Sequence, residues 1–204
     1  MNSFVLADKP EPSSSDGPVR ETLKVGIAGL GTIGKVLAGK LLAGSIPNTE
    51  LVGVAARDAT KAEAWLAGRG AGVPVVGFDA LAALADLVVE CTPAKLVGDI
   101  AGPVLRAGKK VMVLSAGALL SRPDLVELAE RHGGQIIVPT GALLGLDAVS
   151  AAAEGEIHSV RMITRKPVAG LLGAPYLTEN NIDLTTITGP VRIFEGTARE
   201  AAKG

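Results

Sequence analysis

The stretch Leu23-Lys24-Val25-Gly26-Ile27-Ala28-Gly29-Leu30-Gly31-Thr32-Ile33-Gly34 decides the fold. Leu23–Gly29 is an aliphatic run of strand length, and Thr32–Ala43 carries apolar residues at helical spacing. Gly29, Gly31 and Gly34 punctuate the junction. At a strand–helix turn the three glycines have separate tasks: the tight turn, room for a pyrophosphate against the backbone, and close packing of helix on strand. The opening helix also presents N–H groups and a partial positive charge to phosphates. In a chain with 26 glycines the motif alone is a weak signal, and a merely structural turn is the alternative. Its place at the first strand–helix turn is the context that dinucleotide binding requires.

Outward from this junction, short aliphatic runs alternate with helical patterns. Strands are expected at Glu50–Ala56, Val73–Val76, Asp86–Cys91, Lys110–Ser115 and Gln135–Val138. Helices are expected at Ala59–Gly68, Ala94–Ala107 and Arg122–His132, with a helical turn at Ala80–Leu84. Continuous aliphatic strands separated by helices predict a parallel sheet covered on both faces, a doubly wound α/β (Rossmann) domain over residues 21–140. Residues 1–20 are polar, proline-broken and read as a disordered tail.

After Pro139 the pattern changes. Gly141–Ala153 reads as an apolar helix, Ile157–Lys166 as an antiparallel strand buried on one face, Val191–Phe194 as a strand and Thr197–Lys203 as a helix. Residues 141–204 are therefore expected to begin a second, α+β domain.

Composition narrows the function. Twenty basic and 21 acidic side chains give a net charge of −1, without the field that a nucleic-acid groove or an anionic membrane surface would need. Aromatic residues make up 2%, so stacking platforms for bases are scarce and the core is aliphatic. No apolar run reaches membrane-spanning length. The single cysteine, Cys91, excludes an internal disulfide framework and suits a reducing, cytoplasmic setting.

Coenzyme choice in such a domain is read at the tip of the second strand. Ala56 stands where a ribose-binding carboxylate is usual, and Arg57 and Asp58 follow. Arg57 suits a 2′-phosphate and Asp58 a ribose hydroxyl, which favours NADP and leaves NAD open. A solvated ion pair is the plainer reading of the two. Cys91, Thr92 and Pro93 end the next central strand at the carboxyl edge of the sheet, where ligands of open α/β sheets bind. Cys91 itself reads as a small buried hydrophobe rather than a nucleophile. Glu90 is anomalous: a carboxylate in a covered strand must lie at the crevice edge or pair with a cation. His132 reads as a helix C-terminal residue and His158 as a surface strand residue, so no general base is visible.

Beyond the glycine loop, Val88-Val89-Glu90-Cys91-Thr92-Pro93-Ala94, Val113-Leu114-Ser115-Ala116-Gly117-Ala118, Pro139-Thr140-Gly141-Ala142-Leu143-Leu144-Gly145-Leu146-Asp147-Ala148, Thr164-Arg165-Lys166-Pro167 and Ile193-Phe194-Glu195-Gly196-Thr197-Ala198-Arg199-Glu200-Ala201-Ala202 together resemble the L-aspartate dehydrogenase family. The likeness runs from about Leu23 to Lys203. It implies oxidative deamination of L-aspartate by NAD(P)+, through iminoaspartate, to oxaloacetate and ammonia, with a link to NAD biosynthesis. It also implies a cytoplasmic homodimer and a contact between Ala142 and the nicotinamide end of the cofactor. Arg165 and Lys166 are candidates for the substrate carboxylates, a solvated strand end being the alternative. Asp147 is expected to be a buried hydrogen-bonding residue, a role in fixing the substrate ammonium being the alternative. The family pattern continues with an asparagine-rich segment and a catalytic histidine that this sequence does not contain. The expectation is therefore a C-terminally shortened member with its catalytic residue unknown, binding a dinucleotide but turning over aspartate poorly. A homoserine-dehydrogenase-like or dihydrodipicolinate-reductase-like enzyme, or a non-catalytic NAD(P)-binding fragment, are the alternatives.

Overall fold

The structure is a computed structural model that describes residues 21–141 and 145–202. The chain alternates β1 (Leu23–Ala28), α1 (Thr32–Leu42), β2 (Thr49–Ala55), α2 (Ala59–Ala67), α3 (Phe78–Leu84), β3 (Leu87–Glu90), α4 (Val97–Arg106), β4 (Lys110–Val113), α5 (Pro123–His132) and β5 (Gln135–Ile137). The five strands form one parallel sheet in the order β2-β1-β3-β4-β5. The chain first winds outward from β1 to β2, then returns past β1 to β3 and continues the other way. The order reverses between β1 and β3, and that is where a doubly wound sheet opens its ligand crevice.

Both faces of the sheet are covered, so the strands can be aliphatic throughout. Val25 and Ile27 of β1, Leu51 and Val54 of β2 and Val89 of β3 pack with Ala38, Leu41 and Leu66 from α1 and α2. On the other face Ala28, Val88, Val111 and Val113 pack with Leu81, Ile100, Leu105 and Leu125 from α3, α4 and α5. Helix α3 packs directly on β1 and β2. Gly26 and Gly53 are register partners on β1 and β2. A Cβ at either would meet Leu81 Cδ1, at 2.8 and 2.9 Å. The paired glycines form the floor on which Leu81 sits.

The expected strand Val73–Val76 is reduced to one bridge, Val75 with Val54. Pro74 explains this: its carbonyl accepts from Val54 N–H, but its own nitrogen has no proton to donate, and the segment stays a frayed edge beside β2. The helix expected from Ala94 begins as a 3₁₀ turn, Ala94–Leu96, before α4.

The C-terminal segment departs further from expectation. It holds α6 (Leu146–Ala152), α7 (Pro175–Glu179) and α8 (Ala198–Ala201). Ile157–Lys166 and Val191–Phe194 are not strands: no described residue pairs with them, and every residue from 157 to 166 is exposed. Alternation of apolar residues sets which face a strand would bury, but the strand itself exists only through a ladder with a neighbour. Local packing in this segment centres on Leu177 and Leu184, both buried, and on an edge-to-face contact of Tyr176 with Phe194 at 5.6 Å. Asp147, expected to be buried, is exposed in the first turn of α6, because that helix packs no buried face.

One polar contact fixes α3 against the sheet. Lys109, just before β4, donates from Nζ to the carbonyls of Ala82 and Ala83 at 2.8 and 2.7 Å, capping the helix C-terminus with a cation. Lys109→Met keeps the aliphatic stem and loses both bonds. Urea unfolding should show a loss of about 1–3 kcal/mol with an unchanged slope.

Candidate dinucleotide site

The three glycines divide their tasks in space. Gly29 follows β1 with φ at 99°, in the left-handed region. A Cβ there would collide with the Cys91 carbonyl and lie 2.8 Å from Thr92 Cγ2, so the exit of β3 crosses directly over the glycine backbone. Gly34, buried in the first turn of α1, leaves no room for a Cβ beside the Gly29 carbonyl. Gly31 is different. It is the N-cap of α1, and a Cβ built on it meets nothing within 4 Å. Two glycines are required by the fold, and the third faces open space.

That open space suits an anion. Gly31 brings no side chain to accept from the first turn of α1, and the turn contains no acid. Thr32 and Ile33 are exposed, with Ile33 at 61%, and the first backbone bond of the helix is Lys35 N–H to Gly31 O at 3.0 Å. The N–H groups of Thr32, Ile33 and Gly34 precede that bond and point out of the helix end. A bare-backbone cradle at a positively polarised helix start is what a dinucleotide pyrophosphate needs, and these residues fit one.

The neighbouring loops converge here. Gly29 N–H donates to Ala55 O at 2.7 Å, and Cys91 N–H to Ala28 O at 2.7 Å, tying the exits of β2 and β3 to the glycine turn. Arg57, beyond the tip of β2, is exposed and forms no hydrogen bond or ion pair among the described residues. Asp58 has another occupation: it is the N-cap of α2, accepting from Lys61 N–H at 3.1 Å with Lys61 Nζ at 3.0 Å. The Lys61 backbone bond, then its side chain, hold the Asp58 carboxyl below the usual range. Pro93 starts the 3₁₀ turn that leads into α4.

Cys91 is half-buried, and burial, helped by the Glu90 charge, pushes its thiol up to about 11. Such a thiol is not a nucleophile at neutral pH, in agreement with the sequence reading. Glu90 is fully buried and has no cation partner among the described residues. It accepts instead from Thr92 and Ser115, from the backbone N–H and the hydroxyl of each. Ser115 stands in the family-like segment Val113–Ala118, but nothing in the sequence pointed it at Glu90. The anomalous acid in an aliphatic strand was the one available clue to this cluster.

Of the remaining predicted residues, those that are described make no hydrogen bond or ion pair with the crevice residues. Ala142 lies outside the described residues. Arg165 and Lys166 are exposed in irregular backbone without a hydrogen bond or ion pair among the described residues. His132 ends α5 just before β5, at the amino edge of the sheet and opposite the crevice. His158 is exposed beside Glu156, 3.7 Å away. An open hollow lined by Ala148, Val149, Glu156 and His158 includes none of the expected cofactor residues. Among the described residues no group of three or more His, Cys, Asp or Glu could hold a metal ion, and no helix is long and apolar enough to cross a membrane.

The unequal surroundings of the glycines give a paired test. Gly31→Val should cost no more than about 1 kcal/mol of stability, the loss of a favourable N-cap, and abolish dinucleotide binding, because its side chain enters open space that the pyrophosphate would fill. Gly34→Ala should cost about 1–3 kcal/mol of stability, because the methyl must displace the Gly29 carbonyl. Calorimetry and cofactor titration on both variants check the division.

Comparison with known proteins agrees with this geometry. Residues 29–139 match the family described as homoserine dehydrogenase, NAD binding domain, and residues 147–204 match aspartate dehydrogenase, C-terminal. The L-aspartate dehydrogenase of Bradyrhizobium diazoefficiens is 50% identical over 93% of this chain and 67% of its own length. L-aspartate dehydrogenase 3 of Bordetella bronchiseptica is 50% identical over 91% of this chain and 68% of its own. The chain thus spans about two thirds of these relatives. Among solved structures, UDP-N-acetylglucosamine 3-dehydrogenase from Acidithiobacillus ferrooxidans superposes with a TM-score of 0.53 at 20% identity, over 67% of this chain and 45% of that one, a likeness of fold. With a Rossmann domain and half-identical relatives across nearly its whole length, the chain belongs to the L-aspartate dehydrogenase family.

Proposed function

We propose that this protein serves as an NAD(P)-dependent L-aspartate dehydrogenase, converting L-aspartate through iminoaspartate to oxaloacetate and ammonia. The observation that carries the reading is the open Gly31 cradle at the β1–α1 turn, in a chain that is 50% identical to two proteins named for that activity. Residues 21–140 bind the dinucleotide, and the segment from residue 141 belongs to the catalytic and dimerisation unit. When bound, the nicotinamide supplies the hydride acceptor.

The work of the described residues is binding and orientation. N–H groups of Thr32, Ile33 and Gly34 hold the pyrophosphate, with Gly29 and Gly31 allowing its approach. Cys91, Thr92 and Pro93 form the crevice wall at the exit of β3. Ala142 meets the nicotinamide end, and Arg165 and Lys166 take the substrate carboxylates. Asp58 is bound to its own helix, so the ribose end is read chiefly by Arg57, which favours NADP over NAD. The same reading makes the protein a cytoplasmic homodimer whose product feeds synthesis of the pyridine ring of NAD.

Reduction of NADP+ or NAD+ on addition of L-aspartate, followed at the nicotinamide absorbance, tests the reaction. No reduction with aspartate, but reduction with homoserine, would move the protein to the homoserine-dehydrogenase-like alternative. Fluorescence titration tests coenzyme choice. Arg57→Ala should weaken NADPH by about 1.5–3 kcal/mol and leave NADH nearly unchanged. Equal losses for the two coenzymes would remove Arg57 from 2′-phosphate recognition.

A further inference from the structure

Glu90 is the one charged or polar side chain buried among the described residues, with 0% exposure. Its Oε1 accepts from Thr92 N–H at 2.6 Å and from Thr92 Oγ1 at 2.9 Å, and its Oε2 accepts from Ser115 N–H at 2.9 Å. Ser115 Oγ stands 3.3 Å from Oε1 and 3.2 Å from the Thr92 carbonyl, to either of which it can donate. Each carboxylate oxygen therefore receives a backbone N–H from a different loop. An amide in its place would point an NH₂ at one of those N–H groups. Only an acceptor on both sides suits the site.

Burying a carboxylate without a cation is costly, and the fold offsets that cost with three donors and a share of the Ser115 hydroxyl. An aliphatic residue would complete β3 without it. The position is informative: Glu90 is the last residue of β3, in register with Ala28 of β1 and Val113 of β4. Thr92 and Ser115 are the second residues after β3 and β4. One side chain thus fastens together the exits of the two strands on the far side of the β1/β3 switch point. In a doubly wound sheet one mononucleotide half of the cofactor lies on each side of that point. The glycine turn and Arg57, on the β1/β2 side, belong to the adenosine half.

We infer that Glu90 is a positioning residue for the nicotinamide half of the dinucleotide, its carboxylate holding the β3 and β4 exit loops at Thr92 and Ser115 in the shape that receives it. The inference rests on the dinucleotide reading above. It follows the general rule that groups contacting a ligand are held by a buried hydrogen-bonded support.

Glu90→Gln tests it, with two ligands on each protein. One is whichever of NADPH and NADH the parent binds more tightly; the other is the matching adenosine fragment, adenosine 2′,5′-bisphosphate or AMP. The expected result is a loss of about tenfold or more in dinucleotide affinity. Fragment affinity should stay within about twofold, since its contacts lie across the switch point. Equal losses for dinucleotide and fragment would overturn the inference and leave Glu90 a general stability residue. Unchanged dinucleotide affinity in a folded variant would overturn it as well. A parent chain that binds neither ligand would instead overturn the dinucleotide reading, and the inference with it. Should Glu90→Gln not fold, Ser115→Ala removes one donor and leaves the carboxylate three. The same selective loss of the dinucleotide, smaller in size, is expected, and its absence counts against the inference.

Discussion

The carboxyl ends of β1 and β3 meet backbone on backbone. Gly29 can hold its left-handed turn beneath the Cys91 carbonyl only because it has no side chain, and Gly34 must stay bare beside the Gly29 carbonyl for the same reason. This contact sets where α1 begins relative to the sheet. It thereby sets where the free N–H groups of the helix start are aimed. A methyl group at either glycine would push α1 or the β3 exit outward, and the cradle around Gly31 would open with it.

The same close approach accounts for the chemistry beside it. With Cys91 and Thr92 drawn over Gly29, the end of β3 is shut away from water, and Glu90 must find its partners within the protein. It finds them on the two loops that leave β3 and β4. Its charge in turn helps to keep the Cys91 thiol protonated. Binding shape, a buried anion and an inert cysteine are thus three consequences of one crowded junction. On the opposite, amino side of the sheet the polar device is simpler: Lys109 caps the end of α3, and Leu81 of that helix rests on Gly26 and Gly53.

The C-terminal segment shows what a pattern cannot supply alone. Ile157–Lys166 has the alternation of a half-buried strand, and Val191–Phe194 the composition of one, yet neither finds a ladder partner among the described residues. Backbone N–H and C=O groups commit to a strand only when a neighbour satisfies them. In the first domain every strand has such a neighbour, and there even the short run Gln135–Ile137 pairs fully with β4.

The sequence by itself determined the Rossmann class, the five paired strands to within a residue or two at each end, and the glycine turn between the first strand and its helix. It could do so because these depend on local matters: aliphatic runs bounded by turns, and glycines at fixed spacing after a strand. It also marked Glu90 as out of place without saying why. Tertiary structure alone decided which glycine is free for a ligand, since Gly29, Gly31 and Gly34 look alike until the exit of β3 lies across the first and α1 presses the third against it. It alone assigned Asp58 to its own helix, Asp147 to the surface and His132 to the wrong edge of the sheet. It alone gave Glu90 its donors, because Ser115 lies one strand away in space and 25 positions away in the chain. Proximity between segments distant in sequence is fixed by packing, and packing is a property of the whole sheet rather than of any window of residues.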